Sequence, residues 1–289
     1  MGSPNVGKST LMNQILGQKV AAVSPRPQTT RRKQLGILTL DQAQVIFVDT
    51  PGIHQPKHKL GEFMNQEALA TLADADVILW IVDSSIRPTD EDKLCARYLG
   101  ALKNAPPVFL VINKIDKLPE SEYQIRASSY LPLYPNAKIF YISATQGTGV
   151  EELLQSILES LPIGPKYYDE DQITNLYERE IAADLIREAG LLHLKEEVPH
   201  GLAVEIEEYK EREDSGAYIA ATLHVEKESH KGIVIGKGGQ MLKMIGSTAR
   251  EEIEKMSGRK VYLELHVKVS KNWRDSQEAI RRFGYSREE

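Results

Sequence analysis

Eight residues near the amino terminus, Gly2-Ser3-Pro4-Asn5-Val6-Gly7-Lys8-Ser9, have the spacing of a phosphate cradle. Its glycines let backbone N–H groups, those of Asn5 and Val6 included, wrap an anion. Lys8 is placed to meet β- and γ-phosphates. The Ser9 hydroxyl, followed by Thr10 at a helix start, is placed to ligate Mg²⁺. Alone, the same residues also describe a glycine-rich turn ahead of a helix spanning Lys8 to Leu16.

Three further signatures decide between those readings, and each closes a short apolar run. Asp49-Thr50-Pro51-Gly52 puts Asp49 where it can hold Mg²⁺ through water, and puts the Gly52 N–H where it can sense a γ-phosphate. Asn113-Lys114-Ile115-Asp116 supplies base selection, because the Asp116 carboxylate can accept both N1–H and N2–H₂ of guanine. Adenine offers no such donor pair and would leave a charge unpaired. Asn113 can bond the base edge or tie its loop to the phosphate loop, and the Lys114 stem can cover the ring face. Ser143-Ala144 completes the set, with the Ala144 N–H expected to donate to guanine O6.

Between the first two signatures lies a basic, proline-broken loop, Ser24 to Arg32. A threonine hydroxyl here would complete the Mg²⁺ shell only when γ-phosphate is present, making an order–disorder switch. Thr30 is the expected ligand, with Thr29 the alternative. Lys8, Thr30 and Gly52 are therefore the expected catalytic contacts. Ile53 occupies the position where Ras-type GTPases keep a water-orienting glutamine. An aliphatic side chain cannot activate water, so intrinsic hydrolysis should be slow.

Strands must hold these signatures in place. The runs Gln44 to Val48, Val77 to Val82, Val108 to Ile112 and Ile139 to Ile142 alternate with helix-length amphipathic stretches. That pattern predicts an α/β doubly wound sheet of parallel strands with the ligand at their carboxyl ends. A phosphate loop normally follows a strand, yet only Met1 precedes Gly2. The expectation is truncation or incomplete coverage with about ten residues missing, and a gapped sheet in the chain as given.

With 289 residues, two domains are expected. Hydrophobic content of 41% beside 27% charged residues is that of a globular protein, and neither a bilayer span nor an export signal is visible. A cytoplasmic protein is the expectation, and the lone Cys95 excludes an internal disulfide framework. The net charge of −5 argues against a protein that coats polyanions generally, so any RNA contact must be a local patch. His54 and His58 have i, i+4 spacing but flank Pro56, and read as solvated loop residues.

Leu161-Pro162-Ile163-Gly164-Pro165 breaks the last helix of the first half, which divides the chain into 1–163, a linker 164–173, and 174–289. Beyond it the pattern predicts a helix from Thr174, as N-cap, to Ala189, then strands Leu202 to Tyr209 and Ala217 to Val225 around a turn at Glu213-Asp214-Ser215-Gly216. Two helices joined at Gly236-Lys237-Gly238-Gly239 and a strand Val261 to Val267 complete an α-β-β-α-α-β order. GxxG alone is an ordinary helix–helix turn. In this order it is similar to the loop of a type II KH domain, whose glycines let a sugar-phosphate backbone approach while bases face an apolar groove. Ile233, Val234 and Ile235 precede the loop, and Lys227, Lys231, Lys237, Lys243 and Arg250 surround it against Glu228 alone. Six acids between Glu205 and Asp214 make another surface repel RNA.

These elements together, with a hydrophobic residue in place of the glutamine, resemble the translation-factor-related GTPases. Gln28-Thr29-Thr30-Arg31, Asp49-Thr50-Pro51-Gly52-Ile53-His54 and Gly236-Lys237-Gly238-Gly239 together resemble the bacterial Era GTPase family over essentially the whole chain. The chain departs from that family in the missing first strand and in Ser3, where a larger, often basic residue is usual. The resemblance implies GTP and GDP with Mg²⁺ as ligands, a monomer, and binding to 16S ribosomal RNA near its 3′ end. It also implies a role in assembly of the 30S subunit and peripheral contact with the inner membrane face. A nucleotide-gated adaptor whose second domain binds protein is the alternative. An ATP-dependent metabolic kinase is disfavoured by Asp116.

Overall fold

The structure, a computed structural model, describes residues 1–211 and 216–285. They form two compact units. The first comprises Met1–Ala21, Thr30–Lys57 and Gly61–Asn175, and the second Ala22–Thr29, His58–Leu60 and Leu176–Glu289.

The first unit begins with α1 (Lys8–Leu16) and continues through β1 (Gln34–Thr39), β2 (Gln44–Asp49), α2 (Lys59–Ala70), β3 (Ile78–Asp83), α3 (Asp90–Gly100), β4 (Val108–Asn113), α4 (Tyr123–Tyr130), β5 (Lys138–Tyr141) and α5 (Val150–Ser160). Strands β3, β4 and β5 are parallel, with Asp83 level with Asn113. That register sets Asp83 beside the first residue of the Asn113-Lys114-Ile115-Asp116 signature. All six residues of β4 are buried, as expected of a strand covered on both faces. Leu110 and Ile112 meet Cys95 and Leu99 of α3 and Tyr130 of α4 on one face. Phe109 and Val111 meet Leu11 of α1 and Leu153 and Ile157 of α5 on the other. Each such aliphatic side chain stabilises the fold by about 1.5–3 kcal/mol.

The expectation of parallel strands fails at β1, which the sequence pattern did not mark and which pairs antiparallel with β2 in a separate ladder. A tight turn explains the direction, with Leu40 and Ala43 exchanging backbone hydrogen bonds. Gly36 hides the strand's periodicity and leaves room for α1, since a Cβ would come within 2.7 Å of Met12 Sδ and 2.8 Å of Leu16 Cδ1 and make those side chains shift. Ahead of the phosphate loop, the Ile81 N–H donates to the Met1 carbonyl and the Ile53 N–H to that of Gly2. Those two residues thus lie between β3 and the exit of β2.

The segment after α5 runs extended beside the hairpin. The Ile37 N–H donates to Ile173 O, the Leu35 N–H to Asn175 Oδ1, and Gln44 Oε1 accepts from the N–H groups of Tyr167 and Tyr168. These bonds commit Ile173 and Asn175 to an extended path. The helix expected from Thr174, α6, therefore starts at Glu178 and runs to His193, with Glu180 Oε2 accepting from the Tyr177 N–H.

In the second unit α6 is followed by β6 (Ala203–Glu211), β7 (Ala217–Val225), α7 (Glu228–Ile235), α8 (Gln240–Ser257), β8 (Val261–Val269) and α9 (Gln277–Arg282). Strand β7 is central, antiparallel to β6 and parallel to β8. Ile181, Leu185 and Ile186 of α6 and Ile245, Ala249 and Ile253 of α8 pack on one face of this sheet. Of the expected turn, Glu213, Asp214 and Ser215 lie outside the described residues. Beyond Val267 the sequence pattern was silent. The chain there places Trp273 in the interior, its Nε1 donating to Gly201 O, and pairs Arg282 with Glu205.

Candidate nucleotide and RNA sites

The phosphate loop has the backbone its glycines promised. Gly7 has φ 100°, and a Cβ there would sit 2.2 Å from Asn113 Nδ2. A Cβ on Gly2 would meet Ile81 O at 2.3 Å. Asn5 also adopts positive φ, 64°. Val6 is buried, while Thr10 is the third residue of α1 and half-buried. Lys8 Nζ curls over the loop, donating to Ser3 O at 2.9 Å and Gly2 O at 3.4 Å. Burial pushes its pKa down, against the opposing pull of Asp49.

Three segments remote in sequence meet at the first turn of α1. Asp49 Oδ2 accepts from Ser9 Oγ at 2.6 Å and from Thr30 Oγ1 at 3.1 Å, and the two hydroxyls are 2.9 Å apart. Thr29 Oγ1 instead donates to Arg26 O. Burial raises the Asp49 pKa, while bonds from Ser9 and Thr30 and the Lys8 charge favour the carboxylate. One carboxylate and two hydroxyls suit a small hard cation that takes its remaining ligands from phosphate and water. No group of three His, Cys, Asp or Glu side chains suited to a metal occurs among the described residues.

After Asp49, Thr50, Pro51 and Gly52 are all buried, and the Thr50 hydroxyl has no hydrogen-bond partner. Gly52 lies so near the phosphate loop that a Cβ would come within 2.8 Å of Pro4. Ile53 is fully buried in the core beside Trp80. The two histidines, expected as solvated loop residues, are half-exposed and also engaged. His54 Nδ1 lies 2.9 Å from Gly52 O, Asn65 bonds both the N–H and the carbonyl of His54, and His58 Nδ1 pairs with Asp275. Proline-broken loops are polar by composition, but these backbones close on neighbouring side chains.

On the base side, Asn113 makes the tie between loops: Nδ2 donates to Val6 O at 2.7 Å and Oδ1 accepts from the Ala144 N–H at 3.0 Å. The Ala144 N–H, expected to reach the base, is thus held by Asn113 in this structure. Ser143 Oγ donates to Asp116 Oδ1 at 2.5 Å and orients that carboxylate. Lys114 takes a left-handed backbone, φ 66°, and its Nζ donates to Asn5 O at 2.7 Å and to Asp83 Oδ2 at 2.5 Å.

Two supporting carboxylates had escaped the sequence reading. Asp83 closes β3 and is followed by Ser84 and Ser85, a polar end to an apolar run whose partner the sequence does not indicate. Asp92, 1% exposed on α3, accepts from Ser3 Oγ of the phosphate loop, and also from the backbone and hydroxyl of Thr89 in a capping box. Locally that pattern reads as a helix start and nothing more.

In the second unit, Gly236, Gly238 and Gly239 all have positive φ (73°, 58° and 80°) between α7 and α8. A Cβ on Gly236 would strike Met241, whereas Gly238 and Gly239 face open space where a backbone could approach. Lys237 and Lys243 are exposed, and Lys231 and Ile235 are half-buried. Ile233 and Met244, each about half exposed, offer apolar surface beside the loop.

Residues 1–114 match the family model described as 50S ribosome-binding GTPase, and residues 197–274 match that of the KH domain. The chain is 48% identical over 288 residues to the GTPase Era of Carboxydothermus hydrogenoformans, covering 99% of this chain and 96% of that protein. It is 50% identical over 291 residues to the GTPase Era of Caldanaerobacter subterraneus subsp. tengcongensis, with the same coverage. Among solved structures it is similar to Era in complex with MgGDPNP and nucleotides 1506–1542 of 16S ribosomal RNA, with a TM-score of 0.94, 42% identity, and 99% and 96% of the two chains covered. A point variant of Aquifex aeolicus Era bound to GDP·AlF4⁻ matches with a TM-score of 0.93 and 41% identity, over 99% of this chain and 97% of that one.

Proposed function

Because this chain belongs to the GTPase Era family, we propose that it is a GTP-hydrolysing switch whose KH domain binds single-stranded 16S ribosomal RNA near the 3′ end during maturation of the 30S subunit. The observation that carries the nucleotide reading is the convergence of Ser9, Thr30 and Asp49 within hydrogen-bond distance. Ser9, Thr30 and Asp49 would hold a Mg²⁺ ion, which would supply positive charge against the phosphates. The backbone N–H groups from Gly2 to Ser9 wrap the phosphates, and Lys8 leaves the Gly2 and Ser3 carbonyls for phosphate oxygens. Asp116, oriented by Ser143, selects guanine. Thr30 rather than Thr29 is the switch ligand, since the Thr29 hydroxyl is engaged with Arg26.

Water attacks the γ-phosphate to give GDP and phosphate. Ile53 sits in the core, so no side chain at that position orients the water and turnover is slow. The Gly52 N–H and Thr30 instead report the presence of γ-phosphate. At the RNA site, Gly238 and Gly239 admit the sugar-phosphate backbone, Lys231, Lys237 and Lys243 neutralise it, and Ile235 lines the path of the bases. The protein works as a cytoplasmic monomer. Its membrane contact is peripheral, no helix of the described residues being long and apolar enough to cross a bilayer.

The test is the affinity for a short single-stranded RNA from the 3′ end of 16S ribosomal RNA, in complexes with a non-hydrolysable GTP analogue and with GDP. Tighter binding in the GTP-analogue state is expected. Equal affinity in both states removes the switch, and no binding in either leaves the protein-adaptor reading of the second unit.

A further inference from the structure

We propose that Asp83 is a positioning residue for guanine recognition, acting through Lys114; the inference rests on the guanine-nucleotide reading above. The Asp83 carboxylate is fixed at both oxygens. Oδ1 accepts from the Ser85 N–H at 2.9 Å and from Ser85 Oγ at 2.6 Å, and Oδ2 accepts from Lys114 Nζ at 2.5 Å. The β3–β4 register sets Asp83 beside Asn113, one residue before the lysine it holds. Tyr130 Oη also donates to the Asp83 carbonyl, pinning the end of the strand.

Lys114 has a second anchor, the Asn5 carbonyl, at 2.7 Å. A long, flexible lysine held at its tip by two fixed acceptors loses the rotamer freedom of its stem. The left-handed backbone at Lys114 fixes the other end. Held this way, the methylenes between these two points would offer a ring read by Asp116 an apolar wall to pack against. The same ammonium joins the base-reading loop to the phosphate loop at Asn5, so Asp83 sets the spacing between the two halves of the nucleotide site. Asp83 is itself mostly buried, at 13% side-chain exposure. Burial pushes its pKa up, yet hydrogen bonds from Lys114 and Ser85 prevail and hold it below the usual carboxylate range.

The role differs from that of Asp116. A stem lying on the ring face is indifferent to the 2-amino group, whereas Asp116 reads it. Release of fluorescently labelled GDP and IDP from the full chain, chased with excess unlabelled GDP, separates the two. Asp83→Asn keeps the shape of the side chain and is expected to accelerate release of both nucleotides by the same factor, about tenfold. Asp116→Ala should instead narrow the gap between GDP and IDP. The double variant Asp83→Asn/Lys114→Met should release GDP no faster than Lys114→Met alone, because Asp83 acts through that lysine. Wild-type release from Asp83→Asn overturns the proposal, as do accelerations that multiply in the double variant. A wild-type chain that fails to retain GDP overturns the guanine-nucleotide reading itself, and the proposal with it.

Discussion

Replacing Asn113 by Asp tests whether one amide holds the nucleotide site together. Asn113 is 1% exposed, donates to Val6 O and accepts from the Ala144 N–H. Aspartate keeps the acceptor and the volume but turns the donor into a second oxygen facing a carbonyl. Its charged form is buried without a partner, which costs more than neutralisation does. From a reference pKa near 3.9, protonation at pH 7 costs about 3 × 1.36, or about 4 kcal/mol, and that figure bounds the loss. Once protonated, the carboxyl donates to Val6 O and restores the native pattern. The folded-state pKa is therefore raised above the unfolded one. Stability is fully present below pH 4 and is lost by about 1.4 kcal/mol per unit as pH rises toward the folded pKa. Urea unfolding of nucleotide-free protein at pH 5, 6 and 7 measures this. A Trp273→Phe background leaves Trp80 as the only tryptophan, so its fluorescence reports the first unit. A loss at pH 7 below about 1 kcal/mol, or one that does not change with pH, refutes the tie.

Ile53→Gln should not create Ras-like catalysis: the position is fully buried, so the amide enters the core and lowers stability by about 2–4 kcal/mol, read by calorimetry, while phosphate release stays at or below the wild-type rate. Gly238→Asp adds a negative charge at φ 58°, where no neighbour obstructs a side chain; RNA affinity should fall by about tenfold or more with GTP hydrolysis unchanged, and unaltered RNA binding would move the contact elsewhere. His224 is buried, with Nε2 near Glu205 and Nδ1 near Ser270 Oγ, and burial pushes its pKa down. Held neutral in the fold but free to charge when unfolded, it contributes stability above about pH 6.5 that is lost as pH falls toward its folded pKa. Unfolding followed by Trp273 fluorescence at pH 7.5 and 5.5 should show that loss, and His224→Gln should remove its dependence on pH.

What could be read from sequence alone were the features whose physics is local. The phosphate loop, Asp49-Thr50-Pro51-Gly52, Asn113 to Asp116 and the glycines at 236, 238 and 239 are short backbone conformations, and glycine's freedom to take positive φ together with proline's fixed φ announces most of them without tertiary help. Strands β3 and β4 were legible because burial on most or all of both faces leaves a continuous apolar run. Strand β1 was not, because Gly36 is there to admit Met12 and Leu16 of a helix far from it in sequence. Thr174 makes a sound N-cap locally, but the chain around it is committed to the edge of β1 and the helix starts at Glu178. Only the folded chain could bring Thr30 to Asp49 while turning Thr29 to Arg26, aim Asn113 at Val6, or join Asp83 to Lys114 and Asp92 to Ser3. Each is a hydrogen bond between a side chain and a group that the sheet and its helices bring near, and hydrogen bonds act over about 3 Å, a scale that sequence separation does not measure.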